Sequence, residues 1–141
     1  MEKICATCAK EPSAHSFKKV SEKNGVCIFY TKPASATKYD DTVGTISHVD
    51  HALHSIGSKK WMWIFDGDGF EAQHALALQT GRGILHLIES KYGGHLQQIL
   101  FINPSWHVKG VVKAGSIGLH DTIKSKIKVL DDRVYSILEF M

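Results

Sequence analysis

The sequence of 141 residues is short enough for a single domain and long enough to bury about two-thirds of its unfolded surface. Apolar residues make up 43% and charged residues 22%, and the net charge of +3 is too small to indicate nucleic-acid binding. No signal sequence opens the chain and no apolar run approaches the ~18 residues of a membrane-spanning helix, so we expect a cytoplasmic protein whose membrane contact is peripheral.

The N-terminal part of the chain carries few structural signals. Residues 1–23 show no sustained periodicity and are predicted to form an arm with at most one weak helix, ahead of a domain over residues 24–141. A continuous apolar run at residues 26–30 predicts the first buried strand. Apolar residues then recur at helical spacing over residues 43–56, after the capping pair Asp40-Asp41, and predict the first long helix.

A second strand and a second long helix follow. Residues 61–65 form an apolar run too short for a helix and predict a buried strand. Residues 70–92 predict the longest helix of the chain. Within it, Gly81-Arg82-Gly83 should weaken or kink the helix, at roughly 1 kcal/mol for each glycine relative to alanine.

Strands and helices continue to alternate to the end. Residues 99–102 predict a third strand, Asn103-Pro104 the start of a glycine-rich helix over residues 105–118, and residues 127–130 a fourth strand. A last helix is predicted from apolar residues at i, i+3, i+4 and i+7, which are Val134, Ile137, Leu138 and Met141. This alternation predicts an α/β fold with a mostly parallel sheet of about four to five strands and flanking helices.

One enzymatic interpretation rests on Asp66 and Asp68 at the end of the second predicted strand. Phosphatases of the haloacid-dehalogenase type place a nucleophilic Asp and a general-acid Asp in this spacing, with magnesium bound. Lys109 or Lys113 could bind phosphate, and Asp131-Asp132 could complete the metal site. Against this, a strand and a helix precede the aspartates here, and the next strand lacks the usual Ser or Thr at its end. The alternative is that these aspartates cap loops and helices.

The same stretches match another pattern better: a strand ending in Asp-x-x-Gly, a long helix, a strand ending in Asn-x-Pro or a similar sequence, a helix and a Ser-Lys-Ile-x-x-Leu strand. The matching segments are residues 64–69, 89–92, 99–104 and 122–130. This ordered set resembles the CRAL-TRIO lipid-transfer family from about residue 25 to the end of the sequence. The resemblance implies a CRAL-TRIO-like fold, no enzymatic activity, no cofactor, and one phospholipid held in an apolar pocket that residues 105–118 gate.

The resemblance also implies which side chains contact the acyl chains. These pocket candidates are Phe29, Trp63, Phe65, Leu76, Ile84, Ile88, Phe101, Trp106 and Val112. Because indole is apolar with one hydrogen-bond donor, Trp106 is in addition suited to anchor the gate in a membrane interface. The competing interpretation packs Trp106 in the core.

The headgroup candidates are Lys126, Lys124 and Thr122. Phosphatidylinositol-transfer members carry a lysine before the last core strand that contacts the headgroup phosphate, and Lys126 matches it. Residues 109–128 hold five lysines and one acid, so we expect contact with an anionic membrane surface, at ~1 kcal/mol per lysine, or else a solvated face. The family's proline and glutamate correspond to Gly93-Gly94, which puts a preference for inositol in doubt.

A third interpretation is a scaffold for protein interactions. Bulky side chains of the strands would then fill the pocket, and the candidates are Trp61, Trp63, Phe65 and Phe101. The helical lobe that precedes the module in this family does not match residues 1–23, so a homodimer or another partner would cover a shallow pocket. Lipid co-purification separates the scaffold from the lipid carrier, and magnesium-dependent phosphate release separates both from a phosphatase.

Cysteine and histidine patterns raise the question of a metal ion. Cys5 and Cys8 form a CxxC pair, but no second CxxC or CxxH is present to complete a four-ligand zinc site, and three cysteines do not suggest a disulfide framework. His48, His51 and His54 recur every three residues on the first predicted helix, nearly opposite its apolar stripe. We therefore expect two thiols on the arm, a solvated histidine face and no metal site.

Overall fold

The fold is built on a five-stranded sheet whose strands follow one another in chain order. A computed structural model describes residues 6–11, 13–38, 40–75, 78–115 and 118–141. The strands are β1 (Lys18–Lys23), β2 (Val26–Thr31), β3 (Lys60–Asp66), β4 (Leu96–Ile102) and β5 (Ile127–Leu130). β1 pairs antiparallel with β2, and all other neighbours pair in parallel. The predicted α/β fold with a mostly parallel sheet is confirmed.

Helices connect the strands. They are α1 (Ala6–Lys10), α2 (Thr42–Ser55), α3 (Ala72–Ala75), α4 (Leu78–Leu87), α5 (Trp106–Gly115) and α6 (Asp121–Lys124). A π-helical turn, Ile88–Tyr92, follows α4. α2 begins where predicted, and the Asp41 carboxylate accepts a hydrogen bond from Gly44 N at 3.1 Å. Within the described ranges, no helix is long and apolar enough to cross a membrane.

The strand order explains why the long helices share one face of the sheet. Consecutive parallel strands joined by right-handed crossovers return each connection on the same side. α2, α4 and α5 accordingly pack on one face, where they contribute Val49, Leu53, Ile84 and Val108 to the main core cluster. The sheet contributes mostly aromatic side chains to this cluster, namely Phe29, Trp61, Trp63 and Phe101.

The other face of the sheet is covered by the end of the chain. Ile28, Ile64, Leu100 and Ile102 form a second, smaller core cluster on this face. Tyr135, Ile137 and Phe140 pack against them. The sequence predicted a helix here, and that prediction is wrong. The segment forms a single 3₁₀ turn, Ile137–Glu139, and leaves Val134 and Leu138 84% and 74% exposed.

Local polar contacts explain why the last segment is not an α-helix. The Asn103 side chain holds the backbone of Tyr135 in an extended conformation, with hydrogen bonds of 2.8 Å to both its N–H and its carbonyl. Ser136 and Glu139 form a capping box that begins the 3₁₀ turn. Arg133 closes the segment through a two-pronged ion pair with Glu139 at 2.7 and 3.3 Å. The apolar spacing is helical, but of its four members only Ile137 packs against the sheet, whereas Val134, Leu138 and Met141 are exposed.

Three further differences from the sequence predictions concern local structure. β1 lies within the predicted arm, because its mostly polar residues suit an edge strand that lacks an apolar run. α4 runs through Gly81 and Gly83 without a break. A Cβ at Gly83 would lie 2.3 Å from Ile46 Cδ1, so this glycine allows α2 and α4 to approach closely. Finally, Asn103 does not cap α5, since the Ser105 hydroxyl accepts the hydrogen bond from Val108 N at 3.2 Å.

Candidate functional site

Two adjoining cavities lie on the helix-covered face of the sheet. The larger has a volume of about 100 Å³ and the smaller a volume of about 50 Å³. Both are bounded by Trp63, Phe65, Phe70, Gly81 and Val111, so the two cavities share this part of their lining. Residues i and i+2 of a strand point to the same face, which explains why Trp63 and Phe65 together form the aromatic floor.

The larger cavity extends from this floor toward α2 and the N-terminal segment. His15, Ser16 and Phe17 line one wall, and the Phe17 ring stacks on that of Phe29 with centroids 4.9 Å apart. The smaller cavity lies beneath α5, which contributes Val108, Val111 and Val112 to its roof. This spacing of i, i+3 and i+4 places the three valines on one side of the helix.

A few polar groups border the larger cavity. Trp63 Nε1 donates a hydrogen bond of 2.8 Å to the Thr31 hydroxyl, so the indole is satisfied within the wall. Thr45 also lines the cavity, and among the described residues its hydroxyl is a buried oxygen without a hydrogen-bond partner. A polar group of a bound ligand could satisfy this hydroxyl.

The predicted acyl-chain residues fall into distinct positions. Those that line the cavities are Trp63, Phe65, Ile84, Phe101 and Val112. Phe29 and Ile88 are fully packed in the core and do not line either cavity. Trp106 is 77% exposed, because the valines of α5 occupy its inward side. Leu76 lies outside the described residues.

Several lining residues were not anticipated from the sequence. Phe70 follows the Asp-Gly-Asp-Gly turn directly and points back over the sheet, where its ring lies 6.0 Å from that of Phe65. Val108 and Val111 belong to the predicted gate, and their helical spacing was a usable signal. Thr45 and Gly81 gave no signal, since the sequence does not reveal how closely α2 and α4 approach.

The cavities are small for a lipid. An engineered apolar cavity of about 150 Å³ holds one benzene molecule, and drug-sized ligands occupy sites of about 300–1,000 Å³. The conformation described here therefore accepts a small apolar group. A lipid with two acyl chains requires at least one wall to move.

α5 is joined to the rest of the fold by polar contacts near its surface and by its inward-facing valines. Ser105 Oγ donates to the Phe70 carbonyl at 3.1 Å, at the start of the helix. Lys109 and Asp131 form an ion pair of 3.0 Å in which both side chains are about half exposed. Arg82 reaches the Ala114 carbonyl at 3.5 Å. Exposed pairs of this kind contribute little to stability, so apolar contacts of the valines hold the helix in place.

The predicted headgroup residues lie around a separate open groove of about 490 Å³. Lys126 and Thr122 line it together with Glu89 and Gly93-Gly94, whereas Lys124 is exposed and outside the lining. Lys126 Nζ donates to the Gly93 carbonyl at 2.9 Å.

The groove is within a short distance of the cavities. Lys126 directly precedes β5, and Val129 of that strand pairs with Phe101, a residue that lines the smaller cavity. Three residues along a strand correspond to about 10 Å. The groove and the smaller cavity are thus adjacent along β5, but they share no lining residue.

The carboxylate of Asp66, which the phosphatase interpretation makes the nucleophile, is held by hydrogen bonds within the fold. It is 6% exposed and accepts hydrogen bonds from Tyr30 Oη at 2.5 Å, Asp68 N at 3.0 Å and Asn103 Nδ2 at 3.1 Å. Burial and the bond to Asp66 raise the pKa of Tyr30, which therefore remains a donor. Asp68 pairs with Lys32 at 3.3 Å. With both of its oxygens engaged, Asp66 is not arranged to attack a phosphorus atom.

One cysteine and two histidines lie close together where the N-terminal segment crosses α2. Cys8 Sγ is 3.6 Å from His15 Nδ1 and 3.5 Å from His48 Nδ1. The predicted solvated histidine face is therefore wrong at His48, which is half-buried, although His51 and His54 are exposed. The sequence could not reveal this contact, because it depends on how the predicted arm folds over the helix.

Comparisons with known proteins agree with this architecture. The family model described as CRAL/TRIO domain matches residues 20–141. Among solved structures, the crystal structure of Sfh5 is similar, with a TM-score of 0.61 and 13% sequence identity over 93% of this chain and 51% of the Sfh5 chain. The chain thus spans about half the length of Sfh5, and this likeness concerns the fold. A comparison with curated protein sequences finds no match.

Proposed function

Because the chain belongs to the CRAL/TRIO domain family, a family of lipid-binding and lipid-transfer proteins, we propose that it binds one phospholipid and transfers it between membranes. The observation that carries the proposal is the pair of adjoining cavities with a shared floor of Trp63 and Phe65. Burial of apolar surface supplies the affinity, at ~0.8 kcal/mol for each methylene. No covalent chemistry is part of this function.

Helix α5 is the proposed gate. Its valines cover the smaller cavity, so an outward movement of the helix would join the two cavities and open them along the sheet. The same movement would bring the exposed Trp106 to a membrane, where an indole ring partitions into the interface. Lysines on and after α5 would add attraction to anionic lipids. This arrangement would give a protein that contacts the membrane peripherally during lipid exchange.

Lys126 is the proposed headgroup contact, and the groove geometry supports it over Lys124. Both lysines precede β5, but only Lys126 lines the groove. A phosphate in the groove would replace the Gly93 carbonyl as the partner of Lys126 Nζ. The Glu89 carboxylate already accepts a hydrogen bond from His120 N at 2.7 Å, so an acidic group borders the groove although Gly94 replaces the family's glutamate.

The proposal is tested by native mass spectrometry of the purified chain, followed by organic extraction and identification of any bound lipid. A stoichiometric phospholipid supports the lipid carrier. In a vesicle-transfer assay, Lys126→Ala should slow transfer of anionic lipid, and the matched control Lys124→Ala should not. Equal transfer rates for both variants and the unmodified chain would remove Lys126 from the site.

The scaffold is the second candidate, and the small volume of the cavities favours it. Trp63, Phe65 and Phe101 occupy much of the space above the sheet. A chain that carries no lipid and takes none from vesicles would support a closed pocket and a protein partner. Such a partner, or a second copy of the chain, would then cover the surface instead of a lipid.

A further inference from the structure

We propose that Cys8, His15 and His48 bind one zinc ion, which fastens the N-terminal segment to helix α2. The three ligand atoms, Cys8 Sγ and the two Nδ1 atoms, lie within 4.8 Å of one another. Zinc lies about 2.3 Å from a thiolate and about 2.0–2.1 Å from an imidazole nitrogen, so a tetrahedral ion separates sulfur from nitrogen by about 3.6 Å. The observed separations are 3.6 and 3.5 Å.

The outer contacts of both histidines turn their Nδ1 lone pairs toward the sulfur. His15 Nε2 contacts the Asp41 carboxylate at 3.1 Å, and His48 Nε2 contacts the Phe17 carbonyl at 2.6 Å. Both partners accept hydrogen bonds and cannot donate, so each Nε2 carries the hydrogen and each Nδ1 of a neutral ring carries a lone pair. Carboxylates and backbone carbonyls are the usual outer partners of zinc-binding histidines.

The arrangement brings one sulfur and two nitrogen lone pairs together at the spacing of zinc ligands. The Cys8 thiol has one hydrogen, which it donates to one Nδ1 atom at a time, whereas a cation would contact the thiolate and both lone pairs together. The His15 side chain has no exposed surface, which is typical of a structural site.

The two histidines provide zinc ligands that are missing from the sequence around the CxxC pair. His15 and His48 lie 7 and 40 residues from Cys8, outside any linear zinc motif. Cys5, the other member of the CxxC pair, lies outside the described residues, so the site assigned here consists of Cys8, His15 and His48.

The zinc site would also act on the wall of the larger cavity. His15 and Phe17 line that cavity, and both belong to the cluster or its outer contacts. An ion that ties them to α2 would hold this wall fixed while α5 moves. The metal site is nevertheless independent of the proposed lipid binding, and its test needs no lipid.

The test uses the full chain without an affinity tag, purified under reducing conditions. Elemental analysis should find one zinc per chain. After removal of zinc by a chelator, cobalt(II) should produce the visible bands of a tetrahedral site and a thiolate-to-metal charge-transfer band, and zinc should abolish both. A chain that purifies without zinc and gives no such bands with cobalt would overturn the proposal.

Matched variants distinguish a specific loss of zinc binding from a general loss of structure. Cys8→Ser and His48→Gln should lose the metal, whereas Cys27→Ser in β2 and His51→Gln on the exposed side of α2 should retain it. Circular dichroism checks folding. Because a bound ion stabilises the folded state, zinc should raise the melting temperature of the unmodified chain and both controls by several degrees, but not of the site variants. Equal zinc-dependent shifts in all five proteins would contradict the assignment.

Discussion

Replacing Gly81 with leucine tests the lipid site directly, because this residue borders both cavities and lies in the middle of α4. A Cβ at Gly81 would meet no atom within 4 Å. The substitution gains about 0.8 kcal/mol of helix propensity, and burial of the new side chain adds up to about 2 kcal/mol. We therefore expect the free energy of unfolding to rise by about 1–3 kcal/mol.

The same leucine occupies space that a bound acyl chain needs. If each of its four side-chain carbons displaces one methylene, at ~0.8 kcal/mol each, lipid binding weakens by ~3 kcal/mol, or roughly two hundredfold in Kd. Stability and lipid affinity should thus change in opposite directions. A general loss of structure would lower both.

Urea unfolding and titration with a fluorescent phospholipid measure the two quantities. Gln79→Leu is the matched control, because Gln79 is exposed on the same helix, α4, and lines neither cavity. The control introduces the same leucine outside the cavities and the gate, and it should keep its lipid affinity. Unweakened lipid binding by Gly81→Leu would refute the reasoning that the cavities hold the acyl chains.

Three further predictions concern the loop, the surface and the membrane. Asn103→Ala should lower the free energy of unfolding by about 2–3 kcal/mol in urea, because buried partners including Asp66 lose hydrogen bonds; a loss below about 0.5 kcal/mol would contradict this. The Tyr92 hydroxyl lowers the pKa of Asp50, so this contact stabilises the fold above the unfolded pKa of about 4 and is lost as pH falls through the lower folded pKa. The stability difference between the unmodified chain and Asp50→Asn should therefore shrink on acidification, and a constant difference would argue against the contact. Trp106→Phe should remove most of the shift in tryptophan fluorescence on addition of anionic vesicles; an undiminished shift would exclude α5 as the contacting element.

The main helices and strands could be predicted because buried elements have a characteristic arrangement of apolar residues in the local sequence. Buried parallel strands appear as continuous apolar runs, and β2, β3 and β4 each contain such a run, whereas β5 is a short apolar segment interrupted by Lys128. β1 could not be found this way, since this edge strand contributes only the partly buried Val20 to the core and is otherwise polar. The last segment has true helical spacing, but the contacts of Asn103 with Tyr135 override it.

The candidate site was predictable only in part. Alternation along β3 and β4 is sufficient to place Trp63, Phe65 and Phe101 on one face of the sheet. The position of Trp106 depends on how α5 is rotated about its axis, which three valines decide. The contact between Cys8 and His48 joins segments that are far apart in the sequence, so no local sequence pattern could predict it.

The order of strands also bears on how the chain folds during synthesis. Because neighbours in the sheet are consecutive in the sequence, each new unit can add to the edge of a structure that already exists, from the N-terminus onward. The residues that cover the second face, Tyr135 to Phe140, leave the ribosome after all five strands. Until then, Ile28, Ile64 and Leu100 lack this cover, and exposed apolar surface of this kind is what promotes aggregation of incompletely folded chains.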